Sequence, residues 1–578
     1  MLTIVGNVGE YVSSLPVVVS MTLAASYFVA LLVTPIMCWW FLYPPVQDDT
    51  KSRRIGERFF DGYERLMQWS LRRKGVVLGL VGMAFIGSLT LIPVIGSQFF
   101  PAGARDQFFI KIWLPEGSTI ESTSAVARQV EAMVLDSSPI ETKAGTRERL
   151  GNMVSYIGVG GPRIMLTQEP EYDYPYYAML LVNTADPADT PGLAAEIRER
   201  VRDIYNARIT VDEFMLGPPI KDPVAFRLSG PDPDLLRAKT REMIRLFKDT
   251  PGVIGSYGNW GATAYAVDLR VDPYAASLAG VTHSDISNAT RTLLSGSVLT
   301  SYREGDHQVP VVLRTLRESR RELADLSGIF VDGKFGKVPL NSLAEIDATW
   351  QPAVMARRNK HPTVTVGARV APGMLANSVA ADIEPGLQRM LRELPPGYFI
   401  EQGGEQEETL KAQIQVVRAV GIAMLLMTLV LIVQYNSLLK PLVVLMTVPL
   451  AMIGVLLGLW ATGWAMGFMA MLGLLALGGI VINNAIVLID FIERASADGM
   501  PLRDAVVRAG RLRIRPIVLT SLTTIGGLLP LSLFGGALWA PMTNGMIFGL
   551  AVSTVLTLVV VPTVFVLFVE KFNMRVAA

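Results

Sequence analysis

The sequence predicts an α-helical membrane bundle of seven transmembrane helices that carries a large α+β external insert of ferredoxin-like βαβ subdomains. Three observations predict it. Apolar runs of about twenty residues, each long enough to cross a bilayer, recur along the chain. One polar stretch, 99–413, separates the second run from the third. Within that stretch, strand-like and helix-like patterns alternate around Pro/Gly turns.

Composition agrees with the membrane class. The chain has 578 residues, 51% hydrophobic and 18% charged, with a mean hydropathy of +0.38, above what a soluble globular domain carries. A net charge of +1 points to no acidic partner, and no nucleic-acid module is present. Cys38 is the only cysteine, so no intrachain disulfide can form. The spans exclude a soluble enzyme.

The seven candidate spans lie at 16–42, 75–98, 414–435, 440–461, 464–492, 516–535 and 543–570. Segment 44–74 carries Lys51, Arg53, Arg54, Arg58, Arg65, Arg72, Arg73 and Lys74, and segment 493–515 carries Arg494, Arg503, Arg508, Arg511, Arg513 and Arg515. Positive-inside bias makes both cytoplasmic, the insert external and the C-terminus internal. Met1 then falls outside, with neither a basic n-region nor a cleavable signal behind it. That fits a chain whose earlier spans are missing. In native membranes a band near twice 63.0 kDa would mark a truncated reading, and a band at 63.0 kDa a split or broken protein.

Within 52–74, Phe59, Phe60, Tyr63, Leu66 and Met67 recur at helical spacing opposite the basic residues. The pattern reads as an amphipathic helix on the inner membrane face or as a plain cytoplasmic connector.

In the insert, QFFIKIWL (107–114) reads as a strand before a helix at Ile120–Leu135, and TVTVGARV (363–370) as a strand before a helix at Ala376–Leu391. YYAMLLVNT with Leu193–Tyr205 and VAFRLSG with Asp234–Asp249 repeat the pattern, and ARITVDEF and AYAVDLRVD close the units. Two split-βαβ subdomains result, with a further insertion at about 273–346 in the second.

Polar groups at membrane depth concentrate in LGGIVINNAIVLID (477–490). At helical spacing Asn483 shares a stripe with Ala476, Gly479, Val487 and Asp490. Asparagine there either bonds neighbouring helices together or marks an ion path. In the sixth span Thr520 and Thr524 share a face with Gly527, above Arg513 and Pro516; threonine also commonly bonds its own helix backbone. Two polar faces that meet inside the bundle favour the ion path. Gly454/Gly458 and Gly545/Gly549 permit close helix contact but specify no function.

Other chemistry is sparse. His283, His307 and His361 are scattered, without metal-ligand spacing among themselves or with Cys38,. No P-loop is present, so ATP does not drive the chain directly. Met133, Met153, Met165, Met179 and Met215 occur singly, and Met466, Met469 and Met471 read as membrane packing rather than a thioether relay,.

The chain resembles a resistance–nodulation–division (RND) efflux permease of the drug and hydrophobe branch, specifically its C-terminal half. The resemblance rests on LLVTPIMC (31–38), FFPAGARDQFFIKIWLPEGST (99–119), GGIVINNAIVLIDF (478–491) and LRIRPIVLTSLTTIGGLLPL (512–531). It implies a homotrimeric secondary transporter, not an enzyme, in the bacterial inner membrane. Hydrophobic small molecules leave in exchange for protons through a periplasmic adaptor protein and an outer-membrane channel. The proton gradient drives it and no cofactor is implied. Residues 1–98 become the first two spans, 99–413 the periplasmic porter region with a docking subdomain at about 273–346, and 414–578 the last five spans. Asn483, Asn484, Thr520 and Arg513 fall on the family's proton relay. Met153, Tyr156, Gly160, Gly161 and Met165 fall where such pumps have a glycine-containing switch loop beside the substrate pocket; adaptable apolar residues there suit promiscuous binding.

Two departures follow from the resemblance. Asn483 stands where drug pumps of the family carry a relay lysine. The span that supplies their carboxylates has no counterpart among the seven, and Asp490 lies near the cytoplasmic end. Neither Asn nor Thr titrates near neutral pH, so the chain is expected to couple protons only when joined to, or paired with, an N-terminal half. Its rivals are a heavy-metal exporter of the same superfamily and a non-transporting fragment.

Overall fold

A computed structural model describes residues 9–10, 13–41, 50–101, 103, 105–142, 145–165, 168, 170–217, 220–261, 263–316, 323–572 and 574. Among them seven helices are long and apolar enough to cross a membrane: Ser14–Phe41, Lys74–Ile95, Gly404–Tyr435, Leu439–Thr462, Phe468–Ala497, Leu502–Phe534 and Gly536–Phe572. They are the first to seventh spans below. Met1 and the connection after Phe41 lie outside the described residues.

Two starts differ most from the sequence reading. The third helix begins at Gly404, and the sixth at Leu502, so the basic run from Arg503 to Arg515 is helical rather than a loop. Its Ala, Leu and Arg content favours helix, and Pro516 lies inside without ending it.

The fourth and seventh spans approach most closely, and glycine is the cause. A Cβ on Gly454 would stand 2.5 Å from the Phe548 carbonyl oxygen and 2.7 Å from Gly549 Cα. The two small-residue stripes thus meet each other, backbone to backbone, where dispersion contacts hold helices together in lipid. The fifth span packs beside them, Ile482, Leu488 and Ile492 sharing a core with Val561, Val564 and Phe565.

The helix Thr50–Arg72 packs against the sixth and seventh spans. Phe60, Tyr63, Met67 and Leu71 are buried, and Tyr63 Oη donates to the Leu558 carbonyl at 2.9 Å. Leu66, assigned to the apolar face from sequence, is exposed, because the face turns through Tyr63, Met67 and Leu71 at i+4 steps. The side chain of Phe59 lies outside the described residues.

The first sheet of the insert runs Leu150–Ile157, Tyr177–Thr184, Gln107–Trp113, Arg208–Glu213, with every neighbouring pair antiparallel. Numbered by chain order the strands lie 2-3-1-4. Alternation along Gln107–Trp113 sends Phe108, Ile110 and Ile112 toward helices Ile120–Ser137 and Thr190–Arg200, where they meet Val126, Val130, Leu193 and Ile197. Phe109, Lys111 and Trp113 therefore point to the opposite face.

Four strands of the five-stranded second sheet repeat the order, Val253–Gly258, His361–Val370, Val224–Ser229, Phe399–Gly403, and the short Arg357–Arg358 also pairs with His361–Val370, all antiparallel. Helices Pro233–Asp249 and Ala376–Glu393 complete it, and Phe226 meets Phe247 edge-on at 5.9 Å.

One strand assignment is corrected. AYAVDLRVD does not close the second sheet: Thr263–Val271 pairs with Ala344–Pro352 in a separate ribbon. Val253–Gly258 takes its place. Gly255, at φ +69°, puts a break into that short strand, so its alternation is weaker than that of its replacement.

The ribbon belongs to a second compact unit, Pro115–Thr119 with Trp260–Met355, wider than 273–346. Its core holds Val281, Ile286, Val331, Leu340 and Leu343. Thr282 and Asp285 cap the helix His283–Leu294 reciprocally,. Two hairpins, Ser297–Glu304 with His307–Leu313 and Phe330–Gly333 with Gly336–Pro339, complete it.

Candidate functional site

A cavity of about 820 Å³ opens on the faces of the two sheets that their own helices leave bare. The first sheet offers Phe109, Lys111, Arg208 and Asp212 to it, and the second offers Tyr257 and Arg369. All four from the first sheet sit on the non-helical face that strand alternation selects.

Charge organises the floor. Arg369 Nη2 lies 3.0 Å from Asp212 Oδ2, joining the sheets. Arg208 places its guanidinium 3.7 Å from the ring centroid of its sheet neighbour Trp113 and 4.0 Å from that of Tyr257, a cation–π contact that crosses to the second sheet,. Tyr257 Oη donates to Asp222 Oδ2 at 2.8 Å, while Asp222 Oδ1 is buried without a hydrogen-bond partner. Burial pushes the Asp222 carboxyl above the ordinary aspartate range, against the pull of Arg369 and the Tyr257 bond,. Burial likewise lowers the Lys111 ammonium, against the pull of Asp212. At the cavity's rim Lys221 holds Glu171 at 2.8 Å. Toward the membrane, Glu405 on the third span's first turn accepts from the Phe99 amide. It thereby ties the cavity to the aromatic knot of Phe99, Phe100 and Phe468.

The sequence-selected pocket residues lie beside this cavity rather than on its lining. Met153 and Tyr156 are on the strand Leu150–Ile157, not in a loop. Being three apart they point to opposite faces: Met153 joins the helix-side core, and Tyr156 packs with Met165 against Phe109, Tyr177, Met179 and Phe214. Gly160 and Gly161 follow on the connection. A Cβ on Gly160 would fall 1.6 Å from the Glu171 carbonyl oxygen, and one on Gly161, at φ +76°, 2.3 Å from Met179 Cε. Only glycine fits either position.

In the bundle, Asn484 is buried and Asn483 is exposed. Thr520 is also exposed and its Oγ1 donates to the Ile517 carbonyl at 3.0 Å, the local bond that threonine often makes in a helix,. Thr524 donates likewise to Thr520, at 2.8 Å. Among the described residues no hydrogen bond joins the Asn483 and Thr520 faces. Arg513 stacks its guanidinium 5.0 Å from the Phe491 ring centroid. Met469 is buried against Phe99, Phe100 and Phe468, a packing role. Among the described residues no group of three or more His, Cys, Asp or Glu is placed to hold a metal.

Sequence reasoning missed the cavity's charged floor. A signal existed: Lys111 interrupts QFFIKIWL and Asp212 follows ITV, each a charge at an otherwise apolar strand position.

Seven long apolar helices carrying two βαβ-type sheets describe the architecture of a polytopic membrane protein. The AcrB/AcrD/AcrF family matches residues 1–569, and the chain belongs to that family. It is similar to the swarming motility protein SwrC of Bacillus subtilis (strain 168), at 24% identity over 97% of this chain and 52% of the relative. It is equally similar to the cobalt-zinc-cadmium resistance protein CzcA of Cupriavidus metallidurans, at 24% identity over 88% of this chain and 50% of that protein. Crystal structures of a heavy metal efflux pump share the fold at TM-score 0.68 and 21% identity, over 89% of this chain and 52% of theirs. The chain thus spans about half the length of the curated relatives it matches.

Proposed function

We infer that this chain forms the C-terminal half of a proton-driven RND export permease in the bacterial inner membrane. The cavity between the two sheets takes up the substrate, and both sheets act as ferredoxin-like porter subdomains that rock against each other. The insert faces the periplasm and the C-terminus the cytoplasm. The complete pump works as a homotrimer with a periplasmic adaptor and an outer-membrane channel. Its carboxylate relay lies on an N-terminal half, facing the open stripe of Asn483 and Thr520. Asn483 senses protonation there by hydrogen bonding rather than by charge.

Heavy-metal cations are the favoured substrate class over drugs or other hydrophobes. The observation that carries this reading is the likeness to CzcA, a protein named for cobalt, zinc and cadmium resistance. The cavity is compatible with it. Glu171, Asp212 and Glu213 line the wall and are held by Lys221, Arg369 and Arg198. A divalent cation would bind there by displacing ammonium and guanidinium partners, which suits transient carriage more than storage. The rival, export of hydrophobic compounds, is supported by Phe109, Phe214, Met215 and Met374 on the same lining.

The test is accumulation in cells that express the complete pump and lack their own exporters. Lower cellular zinc, cobalt or cadmium, with unchanged retention of a hydrophobic dye, is the expected result. Lower dye with unchanged metal would transfer the assignment to hydrophobe export. Asn483→Leu in the same pump is expected to reduce export while trimer assembly persists. Export equal to the parent would assign Asn483 to packing.

A further inference from the structure

Three helix ends converge at one level of the bundle: the start of the second span at Lys74, the start of the sixth at Arg503 and the end of the seventh at Glu570. Glu570 ties them, accepting from Lys74 and, at 3.2 Å, from Arg503. The helix Thr50–Arg72 lies across this junction, with Arg511 Nη1 2.6 Å from Glu64 and Gly510 leaving no room for a Cβ beneath Tyr63. Two open grooves result. One, of about 530 Å³, holds Arg72, Arg503, Arg508 and Arg511 with Glu64 and Asp504. The other, of about 710 Å³, holds Arg72, Arg73, Lys74 and Arg503 with Glu570.

The grooves share Arg72 and Arg503, and basic groups outnumber acids in both. Glu64 and Glu570 are already engaged. Arg72, Arg73 and Arg508 are exposed and have no carboxylate partner among the described residues. Each can offer a planar fork of N–H donors, a geometry that suits phosphate oxygens. The apolar spans begin immediately beyond Gly75 and Pro516, so a phosphate bound here would have its acyl chains against hydrocarbon-facing helix.

We propose that this junction is a binding site for the phosphate headgroup of an anionic phospholipid of the inner leaflet. The occupant is a lipid rather than a soluble anion because the grooves open where the apolar helix surface starts. The lipid bridges Arg72 of the amphipathic helix to Arg508 of the sixth span. It thereby fixes that helix against the bundle at the level where the spans leave the membrane.

The full chain is extracted from vesicles of equal parts phosphatidylglycerol and phosphatidylcholine, and native mass spectrometry counts the lipid that stays bound. Preferential retention of phosphatidylglycerol is expected, falling roughly fivefold for each of Arg72→Gln and Arg508→Gln. Neither side chain has a described ion partner, so the variants should fold, which their chromatographic profile checks. Arg303→Gln, on an exposed hairpin of the separate compact unit, should change nothing. Equal retention of the two lipids would overturn the proposal, as would unchanged selectivity in the double variant. An equal drop in Arg303→Gln would reduce the effect to net charge. Full displacement of the lipid by inorganic phosphate would make this a small-anion site instead.

Discussion

Arg369 reaches across from the second sheet of the insert to set its Nη2 3.0 Å from Asp212 Oδ2 on the first. Each side chain is about one-fifth exposed, 22% and 19%, so the pair is shielded enough to matter. It forms on the strand faces that carry no helix and line the cavity. Replacing the carboxylate takes away the ion-pair partner of a shielded guanidinium and leaves it only the attraction of Asp222. Asp212→Asn should destabilise the chain by roughly 2–5 kcal/mol, read as a lower midpoint of thermal unfolding in detergent.

Asp222 supplies a pH test. Burial raises its carboxyl above the unfolded value, so folding favours the protonated form. That contribution is fully present below the unfolded pKa and disappears as pH rises through the folded one. At neutral pH the buried carboxylate therefore costs stability. Asp222→Asn should unfold at a higher temperature than the parent at neutral pH, and the gap should close as the solution is acidified through the folded pKa. A gap that widens in acid would contradict the assignment.

The glycines of the bundle divide into two kinds. Gly454 faces backbone atoms of the seventh span at 2.5 and 2.7 Å, whereas Gly479, on the Asn483 stripe, has nothing within 4 Å. Gly454→Ala should cost about 1–3 kcal/mol through overpacking. Gly479→Ala should be neutral or stabilising by up to about 1 kcal/mol through helix propensity. Unfolding of the purified variants in a denaturing detergent series measures both.

Lys440 and Glu493 form a buried ion pair between the fourth and fifth spans, with side chains only 6% and 11% exposed. Lys440→Met strands a carboxylate among apolar helices and should cost about 3–5 kcal/mol, whereas Lys440→Met with Glu493→Met should recover most of it. Protease resistance of the two variants in membranes distinguishes the cases.

What could be read from sequence followed the strength of each periodic signal. Apolar runs placed the spans, because a continuous stretch of that length has few other uses. Alternation in QFFIKIWL and TVTVGARV located the central strand of each sheet. Val253–Gly258 escaped because two glycines dilute its pattern, and Thr263–Val271 attracted its role because alternation says nothing about which partner a strand finds. The candidate site was less legible. Asn483 and Thr520 were identified as polar stripes, but their meeting depends on how the helices rotate, which spacing along one helix does not encode. Met153 and Tyr156 were grouped by nearness in the chain, and the pleat separates them. Lys111, Asp212, Tyr257 and Arg369 come from four strands, and only the fold assembles them.

The second sheet also shows how a short connection can carry a large burden. In the first sheet, strands two and three are joined directly by residues 158–176; in the second, the same connection departs after Asn259 and returns at Ala356. Asn259 bonds to Thr365, and Ala356 accepts from Thr363, both on the strand His361–Val370. The exit and the return are therefore anchored about one pleat repeat apart, roughly 7 Å. To the sheet, the excursion is a tight bend whatever hangs from it. A gene segment spliced in at this point could grow, shrink or be swapped for a foreign module without altering how the sheet closes.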